Sequence, residues 1–138
     1  MNTRTRAYVV PSLALASMLT TGVCAATHYV DDDADPGGDG SSWPTAFRDL
    51  QAALAVAQAG DEVWVAQGTY LPSDRGDRTA SFILVDGSAL IGGFAGLGAV
   101  DPDERDVAIY ATILSGDLFG NDGPGFANND DNSLHVVQ

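Results

Sequence analysis

The functional group this chain holds in excess is the carboxylate: nineteen Asp and Glu stand against six Arg, with no Lys, one Cys and two His in 138 residues. Closely spaced carboxylates do two kinds of chemistry. A pair can act as acid and base on a glycosidic bond, and a cluster can offer hard oxygen ligands to calcium. In the first dense segment, Asp31, Asp33 and Asp35 alternate like the start of a calcium loop. Pro36, however, stands where an EF-hand needs Gly, and Ser42 stands where it needs a closing Glu. In the second, Asp117-Leu118-Phe119-Gly120-Asn121-Asp122 is followed by Asn128-Asn129-Asp130-Asp131-Asn132. Asp117, Asn121, Asp122, Asp130 and Asp131 are therefore the candidate ligands for calcium. The competing reading of these residues is a polar loop between strands, because Gly, Asn and Asp also make turns.

The sequence assigns no catalytic residue. Asp101, Asp103, Glu104 and Asp106 could form acid pairs, but with so many acids proximity alone selects none, and a solvating or structural role is expected. Arg48, Arg75, Arg78 and Arg105 match no polysaccharide lyase motif. His28 and His135 lie far apart in the chain, and nothing places Ser115 on the strained turn a nucleophile needs. Gly92-Gly93-Phe94-Ala95-Gly96 lacks the Lys of a phosphate loop and reads as a tight corner. Trp43 and Trp64 could stack on sugars, but the pattern assigns them to the interior.

Around these residues, the chain opens with Arg4 and Arg6, an apolar stretch over residues 7–19, and small residues up to Ala26. That layout predicts a secretory signal peptide over residues 1–25, cut before Ala26, with Cys24 leaving with it. The remainder, 26–138, keeps four Arg against nineteen acids, a formal charge of −15. Such a surface disfavours nucleic acid and anionic lipid, which are held by Lys and Arg. After the signal, no transmembrane segment is expected.

A short strand at His28-Tyr29-Val30 precedes the Asp-rich loop. Apolar residues at Trp43, Phe47, Leu50, Leu54 and Ala57 then recur at helical spacing, which predicts one amphipathic helix opened by Pro44 and stopped by Gly60. Beyond it lie short β-rich runs at 62–66, 69–71, 82–85, 89–94, 111–114 and 134–137. Aligning Val63-Trp64-Val65, Leu90-Ile91, Ile113-Leu114 and Val136-Val137 gives steps of 20 to 27 residues, within the range of solenoid repeats. One such turn cannot bury its apolar face alone, so turns must stack and the first needs a cover. The helix is the expected cap.

Tyr29-Val30-Asp31, Asp39-Gly40-Ser41-Ser42-Trp43, Leu50-Gln51-Ala52-Ala53-Leu54, Gly60-Asp61-Glu62-Val63-Trp64-Val65-Ala66, Gly68-Thr69-Tyr70, Ile91-Gly92-Gly93-Phe94-Ala95-Gly96, Thr112-Ile113-Leu114-Ser115-Gly116-Asp117 and His135-Val136-Val137 resemble the N-terminal regions of bacterial exported right-handed parallel β-helix proteins of the pectin-lyase-like architecture. The resemblance implies an all-β solenoid with an N-terminal capping helix. It also implies a secreted or cell-surface location, and polysaccharide or cell-surface components as partners. The expected function is binding or structural, adhesin-like, with a polysaccharide lyase or glycoside hydrolase as the alternative. In either case, further coils are expected in a longer parent, because residues 134–137 alternate as though in mid-strand.

Overall fold

Short β-branched and aromatic runs bounded by Gly and Asp become five strands in the computed structural model, which describes residues 24–74 and 76–138. The strands are β1 (Thr27–Val30), β2 (Glu62–Ala66), β3 (Gly68–Tyr70), β4 (Ala89–Phe94) and β5 (Thr112–Leu114). The signal peptide expected over residues 1–25 lies, but for its last two residues, outside the described residues. Among the described residues no helix is long and apolar enough to cross a membrane.

The pairings among these five strands are all parallel. β2 lies between β1 and β4, and β3 pairs with β5. A further parallel pairing joins residues 82–84 to 136–138: Phe82 N–H donates to Val136 O at 2.8 Å, Gln138 N–H to Phe82 O at 2.8 Å, and Leu84 N–H to Gln138 O at 2.9 Å. The order β2, β3, 82–84 is thus repeated by β4, β5, 136–138, segment on segment.

The alignment expected from sequence is corrected at this point. Val63 pairs with Leu90 and Trp64 with Ile91 as expected, but Ile113 and Leu114 pair with Thr69 and Tyr70, and Val137 with Phe82. The spacing between paired residues is 27 for Glu62 and Ala89, 44 for Gly68 and Thr112, and 55 for Phe82 and Val137. It grows because the second pass carries two excursions, residues 95–111 after β4 and 115–133 after β5. A single repeat length could not capture pairings interrupted by insertions.

Strand alternation sorts the apolar side chains into two clusters. Val30, Val63 and Val65 point inward with Leu50, Leu54, Tyr70 and Phe82. Tyr29, Trp64 and Ile91, in register across β1, β2 and β4, form the opposite face with Trp43, Ala66 and Phe94. On that face, Trp64 stacks on Phe94 with centroids 4.6 Å apart, and Tyr29 meets Trp43 edge-on at 5.0 Å. Trp43 is buried and its Nε1 donates to Asp103 at 2.8 Å, while the Trp64 Nε1 donates to Glu62 at 2.8 Å. Both indoles are thus engaged within the fold, the satisfied state that buried Trp normally reaches.

The expected helix over Trp43 to Ala57 is shorter and split. Trp43–Thr45 makes one 3-10 turn, and the α-helix α1 covers Leu50–Val56. Between them Phe47 behaves as a strand residue: its N–H donates to Tyr29 O at 2.8 Å, and its carbonyl accepts from Asp31 N–H at 2.9 Å. Asp49, itself extended, then caps α1 by accepting from Gln51 N–H at 2.9 Å. Backbone pairing with Val30 outcompeted helical propensity over these residues. α1 packs on β1 and β2 and buries Leu50, Ala53 and Leu54.

Gly92-Gly93 lies within β4 rather than at a corner between turns. From Trp64 to Ala66 is two residues, whereas the paired Ile91 to Phe94 is three. Gly93, at φ 92°, absorbs the extra residue as a bulge. Phe82 is fully buried and packs in the inner cluster. Phe82→Ala is therefore expected to lower the unfolding free energy by about 3–5 kcal/mol, measured by urea denaturation followed by circular dichroism.

Candidate functional site

Residues 117–132 leave and rejoin the fold at one point, where Ser133 N–H donates to Gly116 O at 2.7 Å. Arg78 fixes the returning limb: its Nε donates to Asn132 O at 2.8 Å, and its carbonyl accepts from Leu134 N–H at 2.9 Å. Inside the loop, the Asp117 carboxylate accepts from Asn121 N–H at 3.1 Å and from Asp122 N–H at 3.0 Å. These main-chain donors, Asp122 foremost, hold its pKa below the usual value of 3.8. Asp122 in turn accepts from the Asn132 amide at 2.8 Å.

The fold brings three of the sequence-derived candidates together. One carboxylate oxygen each from Asp117, Asp122 and Asp131 lies within 4.8 Å of the others. Both Asp131 oxygens and Asn132 Oδ1 are shut off from solvent and have no hydrogen-bond partner. Asp130 is exposed and does not join the cluster. Asn121 serves through its main chain, donating to Asp117 and accepting from the Asn128 amide at 3.0 Å. Asn132 was missed by the ligand assignment, because a one-turn 3-10 helix over Asn129–Asp131 decides which side chains turn inward. Nothing in the sequence marks that turn.

Asp31, Asp32 and Asp33 also lie close together, but the carboxylates of Asp31 and Asp32 have structural tasks, and Asp33 is exposed. Asp31, almost fully buried, accepts from Asp33 N–H at 3.0 Å and from Leu97 N–H at 2.6 Å. Gly96 (φ 77°) makes that approach, and a Cβ there would collide with the Asp31 carboxylate and Ala66. Asp32 accepts from Thr69 N–H at 3.3 Å, and its partial burial raises its pKa above the usual 3.8. It lines an open groove of about 410 Å³ with Arg48, Asp49, Thr69, Tyr70 and Pro72. Tyr70 is buried in the groove wall, and its hydroxyl donates to Ala66 O at 3.2 Å. Desolvation, reinforced by Asp32, holds the phenol protonated.

The same pattern recurs along the chain. Asp31, Asp39, Asp49, Asp77, Asp101 and Asp106 each accept from the N–H two residues on, the turn that Asp makes with its own backbone. The Ser41 hydroxyl lowers the pKa of Asp39, and the Thr79 hydroxyl that of Asp77. Carboxylates held in the ionised form are poor proton donors. Asp103 and Glu104 likewise hold Trp43 and the Tyr110 hydroxyl.

Asp61, unremarked as a site in the sequence, is a buried carboxylate with three partners. It accepts from Ala26 N–H at 2.8 Å and Gln58 N–H at 2.9 Å, and His28 Nε2 lies 3.1 Å away. Among the described residues no hydrogen bond joins the His135 ring to Ser115 or to an aspartate: the His135 carbonyl accepts from Ser133 Oγ at 2.8 Å, while Ser115 Oγ accepts from Asp117 N–H at 3.2 Å. Compared with known proteins, the chain matches no family model, no curated protein and no solved structure.

The Ala26 and Gln58 N–H groups hold the Asp61 pKa below 3.8. A carboxylate depressed on folding stabilises the native state fully above its unfolded pKa, and that contribution is lost as the pH falls through the folded value. Asp61→Asn is therefore expected to lower the urea midpoint at pH 7, with the difference from the parent closing as the pH is brought down to about 2.

Proposed function

We propose that this chain is an exported binding or structural protein, in which the repeated parallel pairings are the first turns of a right-handed parallel β-helix of the pectin-lyase-like kind. α1 covers the first turn, and loops are displayed outward. The observation that carries the reading is the repetition of β2, β3, 82–84 by β4, β5, 136–138, with an excursion leaving after β4 and another after β5. A solenoid builds its binding surface in this way, keeping the wall regular and varying what leaves it. The carboxylates that could do acid–base work are instead spent on turns and caps, which favours binding over catalysis.

The groove between Arg48 and Asp32 supplies a guanidinium, carboxylates and open walls, groups that hydrogen-bond sugar hydroxyls. A net charge of −15 after processing repels polyanions, so the partner class is a neutral or cationic polysaccharide. The purified protein is expected to co-sediment with chitin or cellulose. Arg48→Ala should reduce the bound fraction at least about fivefold, corresponding to one charge-assisted hydrogen bond of about 1 kcal/mol or more. Release of reducing ends or unsaturated products during the incubation would instead mark the chain as an enzyme.

Export gives the Asp61 cluster a second use. Cleavage before Ala26 turns its amide into an ammonium placed 2.8 Å from the Asp61 carboxylate, replacing a neutral hydrogen bond with a charge-assisted one. N-terminal mass spectrometry of the extracytoplasmic fraction is expected to find chains that begin at Ala26. An uncleaved chain retained in the cytoplasm would refute export.

A further inference from the structure

The loop over residues 117–132 carries a group that hydrogen bonding within the fold does not explain. A buried carboxylate normally has partners for its oxygens, and Asp31 and Asp61 do. Asp131 does not: both its oxygens are buried and unpartnered, and Asn132 Oδ1 beside it is in the same state. An Asp131 oxygen also lies within 4.8 Å of oxygens of Asp117 and Asp122. Three carboxylates held that closely repel one another, and among the described residues none of them takes part in an ion pair: the nearby Arg78 gives its Nε to the Asn132 carbonyl.

We propose that Asp117, Asp122 and Asp131, with the carbonyl of the Asn132 side chain, form a calcium site that pins the 117–132 loop to the parallel framework. The donors are all hard oxygens, with no imidazole or thiolate among them, which selects an alkaline-earth ion over zinc or copper. Calcium bonds to oxygen at about 2.3–2.6 Å, so two oxygens on one ion can stand up to about twice that distance apart. The observed clustering falls within that span. Calcium is preferred over magnesium because it accepts irregular, all-protein oxygen sets, whereas magnesium keeps much of its water and demands an octahedron. Asp117 and Asp122 keep unused lone pairs beyond those that bind Asn121, Asp122 and Asn132 donors, so the hydrogen bonds that shape the loop survive ion binding. The inference does not depend on export or on any polysaccharide.

The test is isothermal titration of the purified full chain with calcium chloride, with hydrogen exchange and thermal melting in calcium and in chelator. One ion per chain is expected, in the range of about 10⁻⁴ to 10⁻³ M known for extracellular modules, with slowed exchange confined to 117–133. Asp131→Asn should weaken binding at least about tenfold, while Asp33→Asn, which alters the other acidic cluster, leaves it unchanged.

A crossover in melting temperature separates a ligand from a merely structural residue. In chelator Asp131→Asn relieves repulsion and should melt at or above the parent temperature. In calcium it should melt below it. Absence of calcium binding by the parent chain, equal binding by Asp131→Asn, loss of binding in Asp33→Asn, equal affinity for magnesium, or an Asp131→Asn chain less stable than the parent even in chelator would each overturn the proposal.

Discussion

Strand β2 is hydrogen-bonded along both edges to neighbours that run in its own direction, and the rest of the structure follows from that constraint. Parallel strands cannot be joined by a tight hairpin, so the chain must travel some distance before it returns. In many folds a long helix makes the journey. Here the path runs along other strands, β3 and residues 82–84, which are themselves paired in parallel on the next pass. Each pass therefore supplies pairing edges for the next, and the apolar interior of Val30, Val63, Val65, Tyr70 and Phe82 is enclosed by backbone that has already found partners.

The chain's acidity follows from the same geometry. A path that turns after every few residues needs many corners, and six of them are built by an Asp that accepts from the N–H two residues on. Ionised carboxylates make these bonds well, and all six corners but the buried Asp31 lie where water reaches the charge. Asp31 shows how far one such residue can reach. Besides shaping its own turn, it holds Leu97 on the excursion after β4, and Asp103 of that excursion holds the Trp43 indole. Two carboxylates thus strap the second pass back over the start of the chain.

Against that background the 117–132 loop stands out, because its acids do more than make turns. Asp117 organises the loop through two main-chain donors and Asp122 receives Asn132, yet Asp131 is turned inward with no donor to meet it. The corner-making acids have their partners, whereas the shielded oxygens of Asp131 meet only other carboxylates. That contrast makes this loop, rather than the more densely acidic stretch near Asp31, the place where a ligand is expected.

Much of this was legible in the residues themselves. The β-rich runs at 62–66 and 89–94 marked β2 and β4 to the residue, because β-branched, aromatic and apolar residues gather where a strand is packed and Gly and Asp gather where it ends. The acid count and the absence of Lys settled the sign of the surface. Asp117, Asp122 and Asp131 were identifiable as oxygen donors from residue type alone. What only the tertiary structure decided were matters of pairing. Residues 43–49 carry helical spacing, yet Phe47 gives its backbone to Val30, since a ladder partner provided by another segment outweighs a local preference. Ile113 pairs with Thr69 rather than continuing the series from Val63 through Leu90, because the excursion at 95–111 shifts the numbering without disturbing the stack. Asp131 enters the carboxylate cluster while Asp130, one residue before it, faces water. Composition determines which groups a chain can offer, but the direction in which neighbouring side chains point is set by backbone that other parts of the chain hold in place.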